Sequence, residues 1–179
     1  MSFLDILFGR SKPAASKTEA IFAIATGYVT LVAQLELKST NKAGVCFRPL
    51  ASSHFDLAEK EMADLLRVSG ETSRSKVSLR EDAYGFQWVI LEDTEFEDLV
   101  ALIYLTTETL REKGFKDQLL AAVFAFSKNG KDIYWIYNYK RGKFYPFVPA
   151  GKEQERDNIM ELQLQAAMAK ELPLEPALE

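Results

Sequence analysis

One histidine and one cysteine stand among 179 residues, and these two scarcities exclude a wide range of chemistry. A lone Cys46 leaves no partner for an intramolecular disulfide, which fits a reducing compartment. One Cys and one His cannot complete a closed zinc shell, and no Asp-rich loop has calcium spacing. No Ser–His–Asp or Cys–His arrangement can be assembled. His54 lies where a helix begins, as a surface histidine would, and Cys46 reads as a small buried thiol on a short strand. The nine glycines are scattered, with no Gly-x-x-x-x-Gly-Lys and no Gly-x-Gly-x-x-Gly, so no phosphate cradle is present. No catalytic residue, metal or cofactor is expected, and the chain reads as a non-enzyme. Long apolar runs are missing too: none approaches the ~20 residues of a membrane-spanning helix. The N-terminal run is short and broken by Asp5, unlike a signal peptide. A cytoplasmic protein is expected, with peripheral contact at the inner face of the membrane as a variant of that reading.

What is present suits a packed core. The chain is 47% hydrophobic and 12% aromatic, with twelve Phe, which argues against global disorder. Its net charge of −4 sets the overall field against nucleic-acid phosphates, so no nucleic-acid partner is expected. Charge is uneven: residues 1–52 sum to +3 and residues 152–179 to −4. The expected organisation is an N-terminal amphipathic segment and linker over residues 1–16, one α+β domain over 17–172, and a tail over 173–179.

Periodicity supplies the elements. Lys17–Ala25 reads as a helix ending at Thr26–Gly27. Val29, Leu31, Ala33, Leu35 and Leu37 then alternate with polar neighbours as a half-buried strand would. Turn residues 41–44 lead to a second strand, Val45–Arg48, stopped by Pro49. Ser53 and Asp56 resemble a capping pair before a helical stripe of Phe55, Ala58, Met62, Leu65 and Leu66. Strands follow at Lys76–Arg80 and Tyr84–Leu91. A helix then opens at Thr94, with Glu97 completing a capping box and Phe96, Leu99, Val100, Ile103 and Leu110 facing inward. Acidic residues 92–98 at this helix start complement the macrodipole. Leu119–Phe126 is a continuous apolar run suited to a buried strand, Asn129–Gly130 signals a type I′ hairpin, and Asp132–Tyr139 completes it. Phe144–Phe147 adds a short strand, and a last helix runs from Glu153 to Lys170 before Leu172–Pro173. The expected fold is α+β: an antiparallel sheet of hairpins with helices packed on one face, in strand–strand–helix order three times after an N-terminal helix.

Three segments offer surfaces. Tyr139, Lys140, Arg141, Lys143, Phe144, Tyr145 and Phe147 mix aromatic and basic residues around Gly142. Structurally, Gly142 turns the chain, Phe144 and Phe147 plug the sheet, and Pro146 and Pro149 stiffen the exit; functionally, the segment offers a rigid platform for a partner. At the N-terminus, Phe3, Leu4, Leu7 and Phe8, with Ile6 and followed by Arg10 and Lys12, suit either an anionic membrane surface or a fold-back onto the domain or a partner. The C-terminal helix carries apolar residues on two sides, Met160, Leu164, Ala167 and Met168 beside Ile159, Leu162, Ala166 and Ala169, which suggests contact with a partner or a second copy.

Several stretches together carry a resemblance. They are the opening Phe3-Leu-Asp-Ile-Leu-Phe-Gly-Arg-Ser-Lys-Pro13, Val45-Cys-Phe47, Asp82-Ala-Tyr-Gly-Phe86, Tyr139-Lys-Arg-Gly-Lys-Phe-Tyr-Pro-Phe147, Arg156-Asp-Asn158, Glu161-Leu-Gln163 and Leu172-Pro-Leu-Glu-Pro176. Along nearly its whole length the chain resembles the PspA-associated protein family PspAB. The resemblance implies an accessory protein of the phage-shock type of envelope stress response, built around the membrane-remodelling coiled-coil protein PspA, and it carries over no catalytic residues. The expected function is a non-catalytic adaptor working through protein–protein contacts near the membrane, with PspA-family or other membrane-associated stress proteins as partners and a homo-oligomer as a further association. The competing reading is a small carboxylate-dependent hydrolase or ligand-binding enzyme using the 139–147 platform.

Overall fold

The structure, a computed structural model, describes residues 17–151 and 154–176. Six strands, β1 (Lys38–Phe47), β2 (Lys76–Glu81), β3 (Gln87–Glu92), β4 (Leu119–Lys128), β5 (Lys131–Asn138) and β6 (Lys143–Phe147), form one antiparallel sheet in the order β2-β3-β1-β4-β5-β6. The described helices are α1 (Ala23–Ala33), α2 (Ser53–Ser73), α3 (Phe96–Glu112) and α4 (Asn158–Met168), with short 3-10 turns at Glu19–Phe22 and Lys116–Gln118. The fold is α+β.

The β4–β5 hairpin forms where local chemistry demands it. Asn129 and Gly130 take φ of 50° and 76°, the left-handed pair that a two-residue type I′ turn requires, and Lys128 pairs with Lys131 across it. Alternation then divides each strand between two faces. One face carries Val45 and Phe47 of β1, Val89 and Leu91 of β3, Phe124 and Phe126 of β4, Trp135 and Tyr137 of β5, and Phe144 of β6, all fully buried. These side chains share one buried cluster with residues from all four helices. Helix α3 lies against β1, β3 and β4, with α1 and α2 against α3, and α4 against β6.

The first third of the chain departs from the sequence reading. The strand expected over residues 29–37 is instead the second half of α1 and the turn after it. Ile24, Gly27, Tyr28 and Leu31 make the inward stripe at helical spacing, and Tyr28 stacks on Phe96 with ring centroids 4.2 Å apart. Val29, an inward residue in the strand reading, is 71% exposed. Gly27 does not end the helix but lets another element approach, since a Cβ there would come within 2.9 Å of Met168 Cε. The turn expected at residues 41–44 is a bulge inside β1: the register with β4 shifts between Ser39 and Lys42, and Asn41 has φ of 63°. One long central strand therefore replaces the first hairpin. The order strand–strand–helix occurs only at β2-β3-α3, and three strands precede α4.

Caps differ by small steps. Ser52, not Ser53, caps α2 by accepting from the Phe55 N–H at 3.2 Å. Thr94 and Glu97 make no capping box; Glu95 is the N-cap, and Asp93 accepts from its N–H at 2.8 Å. Helix α4 starts later than expected, at Asn158, with Asp157 accepting from the Met160 N–H at 3.0 Å.

Candidate functional site

The 139–147 segment does not form one surface. Asn138 organises its turn: its carbonyl accepts from the Gly142 N–H at 2.7 Å and its side-chain oxygen from the Arg141 N–H at 3.2 Å. Gly142 has φ of 68°. Two of the aromatic residues then join the core. Phe144 is fully buried and meets Tyr137 at 4.7 Å between centroids, while the Tyr139 hydroxyl bonds that of Thr107. Burial pushes the Tyr139 phenol far above its ordinary value and Tyr137 to about 12. Lys140, Arg141 and Lys143 face solvent, and Tyr145 and Phe147 alternate onto the opposite face of the sheet from Phe144. Phe3, Leu4, Leu7 and Phe8 lie outside the described residues.

Around this turn the chain builds a groove of about 610 Å³, walled by Asn138 and Arg141 of the turn, Tyr145 and Pro146 of β6, Asn158, Leu162 and Gln165 of α4, and Glu175 and Pro176. Two ion pairs set its shape. Glu161 accepts from the buried Val148 N–H at 2.8 Å and from Arg156 Nε and Nη2 at 3.0 and 2.9 Å, which pins α4 to the end of β6. The same guanidinium lies 5.1 Å from the Phe147 ring centroid, a cation–π distance. Glu175 Oε2 accepts from Arg141 at 3.1 Å, while its Oε1 is buried and without a hydrogen-bond partner. The tail itself pairs in parallel with β6: the Phe144 N–H donates to Pro173 O and the Glu175 N–H to Phe144 O, at 2.7 and 2.8 Å.

Beside the groove lies a larger surface that sequence reasoning missed. All the described helices pack on one face of the sheet, so among the described residues the other face carries Cys46, Trp88, Ile90, Val123, Tyr134, Ile136, Tyr145 and Phe147 outside the core cluster, all but Cys46 half-buried. Ala121 and Ala125 sit between these larger side chains and keep the middle low. The register puts Lys38, Lys42, Lys76, Arg80 and Lys143 around this open face against Glu92, Asp132 and, at the Trp88 corner, Asp82. The surface is therefore basic in a chain of net charge −4. Ile159 and Leu162 of α4, 73% and 54% exposed, extend the apolar ground past the groove.

Asp82 explains the Asp82-Ala-Tyr-Gly-Phe86 motif in physical terms. Its Oδ1 accepts from the Tyr84 and Phe86 N–H groups at 2.8 and 3.0 Å and closes the β2–β3 turn. Its Oδ2 accepts from Trp88 Nε1 at 2.9 Å, fixing the indole on the open face. That indole bond and the two backbone bonds hold the Asp82 carboxyl below its usual range. Burial, with Asp82 nearby, pushes the Cys46 thiol to about 11, an unreactive thiol.

Among the described residues no three His, Cys, Asp or Glu side chains come together as a metal site, and no helix is long and apolar enough to cross a membrane. His54 is exposed at the start of α2, its ring 5.5 Å from Phe115. The signal that would have found the open face is the β4 run itself. Leu119–Phe126 is apolar on both faces, yet four helices on a six-stranded sheet cover only one of them. No curated protein matches the chain. A family-wide sequence model described as PspAB, PspA associated protein B, matches residues 1–179, and the chain belongs to that family.

Proposed function

We propose that this protein is a non-catalytic adaptor in the PspA-type envelope stress response, working in the cytoplasm at the inner face of the membrane and binding PspA through the open face of its sheet. The family assignment gives a role linked to PspA. The observation that carries the mode of action is that open face: apolar, aromatic, ringed by basic residues and unpartnered among the described residues. Its basic margin favours an apolar partner surface with acidic flanks. The alternative, a carboxylate-dependent enzyme at the 139–147 turn, has less support, because Glu161 and Glu175 in the groove are both engaged by arginines.

Binding of the purified full-length chain to PspA from the same genome, followed by calorimetry, tests the reading. Ile136→Glu and Val123→Glu put charge on the open face and should weaken binding at least tenfold. Val29→Glu, on the exposed side of α1, should leave it unchanged. Circular dichroism confirms that each variant is folded. Equal affinity for all four proteins sinks the proposal.

A further inference from the structure

The relief of the open face specifies the shape of what fills it. An added Cβ at Gly44 would meet Trp88 Cε3 at 3.5 Å and Ile90 Cδ1 at 3.6 Å. Both side chains of β3 therefore reach over β1, and Gly44 and Cys46 beneath them are buried. The low ground is left to β4 alone, where Ala121 and Ala125 make two pits with Val123 between them. Tyr134 and Ile136 stand beside Ala125 and Val123 as the opposite wall. Walls one strand to either side of β4 are about 10 Å apart. A furrow that narrow takes a single row of side chains. An α-helix presents such a row in its i, i+4, i+8 ridge. A second sheet instead presents side chains on neighbouring strands ~4.8 Å apart, and these would strike both walls.

Length agrees with width. Ala121 and Ala125 lie about 13 Å apart along the strand, and residues i and i+8 of a helix about 12 Å apart. Charge then sets the flanks. Lys42 lies across from Ala125 with 60% of its side chain exposed, and Lys38 lies across from Ser127. Lys143 and Arg80 flank the Ala121 end from β6 and β2. Of the nearby acids, Asp82 is held by Trp88 and two backbone N–H groups, and Glu92 approaches Lys42 at 4.0 Å. Both ends of the furrow thus keep a cationic margin. We propose that the open face takes an amphipathic α-helix of PspA, laid along β4. Large apolar residues eight positions apart sit over Ala121 and Ala125, a small residue sits over Val123, and acidic residues flank the row.

The partner's identity rests on the function proposed above, whereas the helical shape rests on the furrow, and two measurements on the full-length chain separate them. Calorimetry with PspA from the same genome compares wild type with Ala121→Leu plus Ala125→Leu, which fills both pits, and with Lys42→Glu plus Lys143→Glu. Each pair should weaken binding at least tenfold, with circular dichroism confirming the fold. Full affinity in either pair, where Ile136→Glu still weakens binding, overturns the helix and leaves the proposed function standing. No binding by wild type overturns both. In the second measurement, a photo-crosslinking p-benzoylphenylalanine replaces Trp88 on one wall or Tyr134 on the other, and crosslinks to PspA are mapped by mass spectrometry. Both sets should fall in one segment of about 15 residues, at helical spacings of three, four and seven. Crosslinks at every second residue, in several separate segments, only to a second copy of this chain, only to added phosphatidylglycerol vesicles, or to nothing overturn the helix.

Discussion

Glu161→Ala tests the joint that shapes the groove. The side chain is 11% exposed and accepts three hydrogen bonds, one from the backbone N–H of the fully buried Val148 and two from Arg156. Losing the acceptor leaves that N–H unsatisfied, at a cost of about 1–3 kcal/mol. Arg156 is 36% exposed and regains water, so the lost ion pair adds about 1 kcal/mol at most. The expected destabilisation is about 3 kcal/mol, a large fraction of a typical total of ~5–15 kcal/mol. At a urea slope of about 2 kcal/mol/M the midpoint falls by about 1.5 M. Glu161→Gln keeps an oxygen for Val148 and should cost only about 1 kcal/mol, or ~0.5 M. Urea unfolding followed by circular dichroism gives both midpoints, and hydrogen exchange at the Val148 amide should quicken in the Ala variant first. Equal midpoints for Ala and Gln would refute the reasoning, because the backbone acceptor would then contribute nothing.

Gly142→Ala forces a side chain into φ of 68° and onto Lys17. It should cost about 1–2 kcal/mol in urea unfolding, and the loss should shrink when Lys17→Ala removes the crowding. Cys46, pushed to about 11 from an ordinary 9.0, should react with iodoacetamide at pH 8 about 100-fold more slowly in the folded chain than in urea; equal rates would place the thiol in the open. Burial also raises Tyr137 to about 12 from 10.0. Both folded values lie above the unfolded ones, so this stability is fully present below pH 9 and is lost as pH rises from 9 towards 11 for Cys46 and from 10 towards 12 for Tyr137. The urea midpoint should therefore fall between pH 8.5 and 11. The Asp82 carboxyl is held down by Trp88 and two backbone N–H groups, so its contribution is present above its unfolded value of 3.8 and fades as pH falls below that. Asp82→Asn should flatten the acid limb of midpoint against pH, and an unchanged limb would count against the bond to Trp88.

Legibility followed how local each cause is. The type I′ turn at Asn129–Gly130 needs two residues only, and the stripes of α2 and α3 are long enough to declare their period. Residues 23–37 fit two periods at once, and the deciding contacts, Tyr28 on Phe96 and Gly27 under Met168, come from elements far along the chain. Asn41 and Gly44 looked like a turn because a bulge uses the same residue types. In the 139–147 segment, strand alternation alone sends Phe144 inward and Phe147 outward, so an aromatic run on a strand cannot be a single platform. The groove was beyond sequence reasoning, because its far wall is α4, and that helix is placed by contacts from elsewhere in the chain: Val148 and Arg156 on Glu161, and Met168 on Gly27.

The residues that carry the family resemblance build the frame around the open face more than the face itself. Asp82 closes one corner and fixes Trp88, Arg156 and Glu161 pin α4 beside β6, and residues 173–175 pair along the β6 edge. That last pairing bears on how a partner binds. An edge strand invites strand addition, but β6 already has a neighbour on its outer side, and the other edge, β2, presents Lys76 and Arg80 on its open-face side. A partner adding a strand would have to displace the tail or accept that charged margin. Binding across the open face requires neither, and of its apolar residues only Cys46, Tyr145 and Phe147 fall in the stretches that carry the resemblance, while Trp88, Ile90, Val123, Tyr134 and Ile136 are strand residues outside them.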